Sequence, residues 1–193
     1  MARSKDFDEQ EVLNKAIDLF WLKGYNATSM QDLVDALGIS RSSLYDTFGD
    51  KHSLFLKALE SYKTSAGEKI STIAGSTPSA KEAIRRLFDF TINELLSDTR
   101  QKGCFLVNAG VEVASVDPTV NEMVCDNDQQ LEKLFFTIIK NGQETGELSK
   151  DKDAHAIARF MLNTVKGMRV TAKTATDKSV FNDIVAMTLN VLN

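Results

Sequence analysis

The chain has 193 residues, only two prolines and two cysteines, and a net charge of −4, a length that fits one compact core or a small module joined to a larger one. Helical patterning runs nearly throughout and no stretch alternates as a strand does, so the expected fold class is all-α, with about nine helices. Cys104 and Cys125 are not in a CxxC arrangement, residues 1–11 hold no apolar signal core, and no run is long enough to span a bilayer; the expectation is a soluble cytoplasmic protein with no disulfide framework and no membrane partner.

The first helix is expected over roughly 8–23. Val12, Leu13, Ala16, Ile17, Phe20 and Trp21 form its buried stripe, and Lys23-Gly24 ends it. Trp21 reads as a packing residue. Asp6, Asp8, Glu9 and Glu11 cluster at its start, where they favour the helix dipole.

Residues 28–51 carry the most information. Ser29 can cap a short helix, with Asp32 three residues on, and Met30, Leu33, Val34 and Leu37 recur at helical spacing. Gly38 stops that helix, because glycine accepts the left-handed conformation. Ser40 can cap the next helix, roughly 41–48, and Ile39 and Leu44 have hydrophobic-staple spacing. In this helix Leu44 and Phe48 point into a core. Ser42, Ser43 and Asp46 lie opposite, with Arg41 and Tyr45 on one flank and Thr47 on the other. Set in a DNA major groove, that face has the chemistry to read base edges. Taken alone, it fits a solvated helix of a bundle equally well.

The run Thr28…Gly38-Ile39-Ser40…Leu44-Tyr45…Phe48…Lys51…Leu54, with Ala16, Leu19-Phe20 and Gly24-Tyr25 upstream, resembles the helix-turn-helix signature of TetR-family transcriptional regulators over roughly residues 9–57. The resemblance implies a homodimer on an inverted-repeat operator of double-stranded DNA. It implies a DNA-binding domain over 1–50 and a helical ligand-binding and dimerisation domain over 51–193, with the fourth helix shared. DNA contacts are expected from Thr28, Ser40, Arg41, Ser42, Ser43, Tyr45, Asp46, Thr47 and Lys51. Thr28, Tyr45 and Lys51 would touch phosphates, which fix register, and Arg41, Ser42 and Ser43 on the first turn would meet base edges.

Charge argues in the other direction. Within residues 1–60, seven Lys/Arg stand against ten Asp/Glu, and a basic footprint is the usual sign of a DNA binder. Arg3 and Lys5 in a leading arm, with Arg41 and Lys51, could form a local positive rim.

The fourth helix is expected from Asp50 to about 74, with Leu54, Ala58 and Tyr62 inward, and Gly75-Ser-Thr-Pro-Ser79 breaks the pattern. Helices over 80–97, 104–116, 118 to about 142, 153–174 and 178–192 follow. The last two have apolar faces wider than one core needs, so a partner helix pair is expected at Met161, Val165, Met168, Ile184, Met187 and Val191, with Gly167 admitting close approach. The family dimerises through a four-helix bundle of its last two helices, and this arrangement looks like that.

Large apolar residues interrupted by few polar ones are how small-molecule pockets are built, and equally how cores are built. Phe88, Phe105, Asn108, Met123, Asn127, Phe135 and Met161 are the candidate ligand contacts; that a small-molecule effector exists follows mainly from the resemblance. Gly103-Cys104-Phe105-Leu106-Val107-Asn108 resembles a segment in one branch of the family, some of whose members sense electrophiles or oxidants through a cysteine there. Cys104 is therefore a candidate sensor, with Cys125 a second. No cationic cluster nearby in sequence promises an activated thiol, and most such cysteines are small buried hydrophobes.

The only histidines, His52 and His155, stand in no HExxH spacing, and there is no Gly-rich phosphate loop or GxSxG elbow. No catalytic residue, metal or cofactor is expected, and His52 reads as a surface residue. The expected function is a dimeric DNA-binding regulator, a repressor released by a small-molecule ligand. The alternatives are a cysteine-based sensor acting through Cys104 and a helical protein-binding adaptor. The polar face of 41–47 argues against the adaptor.

Overall fold

The computed structural model describes residues 7–193. Arg3, Lys5 and Asp6 lie outside the described residues. The described residues form nine α-helices: α1 (Glu9–Lys23), α2 (Met30–Leu37), α3 (Arg41–Phe48), α4 (Lys51–Ala74), α5 (Ala80–Ser97), α6 (Phe105–Glu112), α7 (Pro118–Thr145), α8 (Ala154–Thr171) and α9 (Lys178–Leu189). A 3₁₀ turn, Asn190–Leu192, follows. The all-α expectation holds.

Local chemistry sets the helix ends. Ser29 and Asp32 form a reciprocal capping box on α2, the Ser40 hydroxyl accepts the Ser43 N–H, and the Asp50 carboxylate accepts the Ser53 N–H. Asp117 caps α7, whose first residue is Pro118. Gly38 and Gly146 close α2 and α7 in the left-handed conformation. The helix expected over 104–116 is shorter. It ends at Glu112, and the chain turns at Val113, which buries its side chain and leaves Val116 outside, 81 % exposed. The turn brings Asp117 to the start of α7.

Two apolar clusters hold the chain together. The first joins α1–α4 to α6, with Ala16, Phe20, Leu33, Leu44, Leu54, Phe55 and Phe105 inside. The second joins α5, α7, α8 and α9 around Ile84, Phe88, Ile139, Met161 and Phe181. α4 belongs to both: Leu54, Phe55, Ala58 and Leu59 fill the first, and Ile70 and Ile73 pack on the second.

Candidate nucleic-acid interface and internal cavity

α3 is seated by its thin apolar edge. Leu44 and Phe48 are buried, while Arg41, Ser42, Tyr45 and Asp46 are exposed and Ser43 and Thr47 lie at the margins. The Ser40 hydroxyl accepts the Ser43 N–H at 3.1 Å and lies 2.9 Å from the hydroxyls of both Ser42 and Ser43. The Arg41 guanidinium stands 5.8 Å from the centre of the Tyr45 ring, so the two long side chains share one flank. The first turn of α3 thus presents a guanidinium and a group of hydroxyls together, which is the donor and acceptor set that base-edge readout requires.

Thr28 differs from expectation. It is fully buried, and its hydroxyl donates to the Gly24 carbonyl at 2.6 Å. It closes the α1–α2 turn and offers no side-chain group to a phosphate. Lys51 is half-buried, its ammonium 4.3 Å over the Tyr25 ring. His52, read as a surface residue, places Nε2 2.6 Å from an Asp117 carboxylate oxygen and so joins α4 to α7.

The acidic count of this region overstates its free negative charge, because several of its carboxylates are engaged. Asp8 and Asp50 cap helices, and Asp32 pairs with Lys23 at 2.7 Å besides completing its capping box. Asp18 accepts from both terminal guanidinium nitrogens of Arg100, Nη1 and Nη2, and from Lys102 at 2.9 Å. These bonds, Arg100 first and then Lys102 against a desolvation that opposes them, hold the Asp18 carboxyl at about 2. The Lys23 ammonium and the Ser29 cap hold Asp32 far below the usual carboxylate range.

Behind this module lies a narrow cavity of about 60 Å³. Tyr62, Ala66 and Ile70 of α4 form one wall, Leu87 and Thr91 of α5 another. Cys104, Leu106 and Val107 close the end near α6, and α7 and α8 complete the lining with Asn127, Leu131 and Phe135 and with Leu162, Val165 and Arg169.

Of the expected ligand residues, Asn127 and Phe135 line this cavity, as does Cys104. The others do not. Phe88 and Met161 are fully buried in the second cluster, Phe105 sits in an aromatic group with Phe55 and Tyr62, and Met123 packs against the first cluster. Asn108 donates its amide to the Lys102 carbonyl at 2.9 Å. For the four apolar residues the physical reason is the same: a buried helical stripe is wider than the cavity wall, and most of it meets other side chains. Tyr62 and Arg169 were missed as lining residues. Leu162, Val165, Lys166 and Arg169 share i, i+3, i+4, i+7 spacing, so a guanidinium on an apolar face was the available signal.

The outer face of α8 and α9 also differs in register. Met161 and Met168 are buried in the chain's own core, and Val165 lines the cavity, so these three side chains are not presented on an outer surface. The exposed large apolar residues of these helices are Phe160, Val170, Val180 and Met187, the last 69 % exposed, with Ile184 and Val191 half-buried. A Cβ added at Gly167 would meet nothing within 4 Å.

Comparison with known proteins agrees with this geometry. The family model for bacterial regulatory proteins of the tetR family matches residues 12–58, and that for the tetracyclin repressor-like C-terminal domain matches residues 80–187. The chain is 36 % identical to the uncharacterized HTH-type transcriptional regulator YezE of Bacillus subtilis (strain 168), over 100 % of both chains. It is 27 % identical to the HTH-type transcriptional repressor ComR of Escherichia coli (strain K12), over 98 % of this chain and 90 % of that one. Its fold is similar to that of a cysteine mutant of the TetR-family regulator CifR solved with 26-bp double-strand operator DNA, with a TM-score of 0.90, 28 % identity and 100 % of both chains covered. With a helix-turn-helix module that presents a polar reading helix, and with both halves matched, the chain belongs to the TetR family of DNA-binding transcriptional regulators.

Proposed function

We propose that the protein is a homodimeric repressor that leaves an inverted-repeat operator when a small molecule occupies the cavity. One observation carries the reading: α4 begins directly behind the reading helix with Lys51 and His52, and its middle supplies Tyr62, Ala66 and Ile70 to the cavity wall. Lys51 and Tyr62 are about 16 Å apart along a helix that rises 1.5 Å per residue. A ligand that favours one position of α4 changes operator affinity, and DNA changes ligand affinity by the same factor. The DNA-binding part is then 1–50 and the effector and dimerisation part 51–193, with α4 connecting them. The exposed apolar residues of α8 and α9 support a partner surface, and the ComR repressor relative supports the sign of regulation. The contacts assigned to DNA are Ser40, Arg41, Ser42, Ser43, Tyr45, Asp46, Thr47 and Lys51.

The test combines native mass spectrometry of the purified protein with operator titrations. A co-purifying molecule should lower operator affinity, and Val165→Trp, which fills the cavity, should abolish its effect while operator binding persists. An undiminished response in the filled variant would remove the reading.

Cys104 supports a second reading, a covalent sensor. Its sulfur lines the same cavity, 3.6 Å from the Tyr62 hydroxyl, and Arg169 is close enough to interact with it electrostatically. Arg169 is the cationic neighbour that sequence spacing did not reveal. In the non-covalent reading Cys104→Ser keeps DNA binding and effector response. Loss of response, with an adduct on Cys104 in the wild type, would favour the sensor.

A further inference from the structure

Two hydrogen-bond donors on the cavity wall lack an acceptor of matching strength. Arg169 is 9 % exposed, and its one ionic partner among the described residues, Glu94, stands 3.6 Å away, longer than a hydrogen bond. Glu94 borders the adjoining cleft and not the cavity, whereas Arg169 borders both. A guanidinium has five donors in a rigid planar fork, and with only the long Glu94 contact among the described residues this one keeps donors for an acceptor in the cavity. Tyr62 is the second donor. Its hydroxyl is directed at the Cys104 sulfur at 3.6 Å, a weak acceptor. Tyr62 and Arg169 are near enough to influence each other's charge.

Apart from the Asn127 amide, the polar groups of the lining are already engaged. The Thr91 hydroxyl donates to the Leu87 carbonyl at 2.9 Å, and the Asp128 carboxylate is already paired with the Lys166 ammonium. Ile70, Leu87, Leu131 and Phe135 give the remaining wall its apolar character.

We propose that the cavity takes an apolar monocarboxylic acid, its carboxylate held by the Arg169 guanidinium and the Tyr62 hydroxyl and its hydrocarbon part lying against Ile70, Leu87 and Phe135. This inference rests on the reading of the cavity as the effector site and gives that effector a chemical class. A carboxylate fits better than a phosphate for two reasons. The planar fork matches a planar two-oxygen acceptor. One guanidinium, held only at 3.6 Å from Glu94, suits a single added negative charge better than two.

The test is calorimetric titration of the full-length protein, without DNA, using octanoate and its neutral counterpart 1-octanol. Octanoate should bind at least about tenfold more tightly, the scale of one charge-assisted bidentate contact. Arg169→Met should erase that preference while octanol still binds. Should Arg169→Met fail to fold, Tyr62→Phe, which removes one oxygen, must lower the preference. Octanol binding as tightly as octanoate, neither probe binding, or a preference unchanged in a folded variant overturns the proposal. The underlying reading fails separately. Octanoate bound with no change in operator affinity keeps the carboxylate site and removes its effector role. A neutral co-purified molecule that releases operator, with no octanoate binding, does the reverse.

Discussion

The carboxylate of Glu112, at the end of α6, accepts the backbone N–H of Tyr25 at 3.0 Å and that of Asn26 at 2.8 Å. One side chain of the C-terminal part thereby satisfies two turn donors of the helix-turn-helix part. Gly24 makes room for it: its φ is +85°, and a Cβ there would stand 2.8 Å from a Glu112 carboxylate oxygen. Since α6 also supplies Leu106 and Val107 to the cavity, this contact is a second connection between cavity and reading helix beside α4.

Glu112→Gln replaces one acceptor oxygen with a donor that faces an N–H. It should destabilise the protein by about 1–3 kcal/mol and weaken operator binding. Gly24→Ala should do at least as much, through backbone strain and displacement of the carboxylate. Urea unfolding and fluorescence anisotropy on the same variants check both effects; unchanged midpoints would show that the contact contributes nothing.

The Asp18 contacts with Arg100 and Lys102 predict a pH dependence. The folded carboxyl sits at about 2, below its ordinary value of 3.8. Its contribution is therefore fully present above the ordinary value and is lost as pH falls toward about 2. Asp18 is 46 % exposed in its side chain, so salt should weaken the effect. Thermal unfolding of Asp18→Asn should show a flatter acid limb than the wild type at low salt. Identical acid limbs would contradict it.

The helices were legible because their ends are written locally: Ser29, Ser40, Asp50, Pro118 and the glycines at 38 and 146 mark caps that the structure uses. What stayed hidden depends on residues far apart in the chain. His52 meets Asp117, Glu112 meets Tyr25, and Asp18 meets Arg100, contacts that no local pattern specifies. Periodicity also cannot say which edge of a wide stripe faces the chain's own core. Met161 and Met168 therefore looked like interface residues alongside Met187, but only Met187 of the three is exposed, with Phe160 on the outer side of α8. The same ambiguity made Phe88 look like a cavity residue. Thr28 was assigned from the family pattern, and only the fold revealed its hydroxyl bonded inward to Gly24.

The proposed dimer surface can be tested by contrast. Met187→Glu and Phe160→Glu should dissociate the protein while leaving each chain folded, since both side chains are exposed. Met168→Glu should instead unfold it, by burying an unpaired charge at a cost of several kcal/mol (about 3–5). Sedimentation with circular dichroism separates the outcomes. A wild type that is monomeric at micromolar concentration, or a Met187→Glu variant that stays dimeric, would remove the interface.

The division of labour around α3 is the most direct measure of function. Arg41 opens the reading helix with its guanidinium exposed, Asp46 lies further along the same exposed side, and Lys51 stands at the start of the next helix. Arg41 can pair with guanine at O6 and N7, whereas Asp46 can accept only from a donor such as cytosine N4. DNA selected from random fragments by the wild type, Arg41→Ala, Asp46→Asn and Lys51→Ala, with affinities measured across salt concentrations, tests these roles together. The wild type should enrich an inverted repeat. Arg41→Ala should cost about 1–3 kcal/mol and relax one base pair per half-site. Asp46→Asn should change preference more than affinity. Lys51→Ala should select the same sequence with a salt slope lower by roughly one. An Arg41→Ala protein that selects the wild-type sequence, beside a Lys51→Ala protein that selects another, would reverse the assignment; a wild type that enriches no sequence at all would contradict the regulator itself.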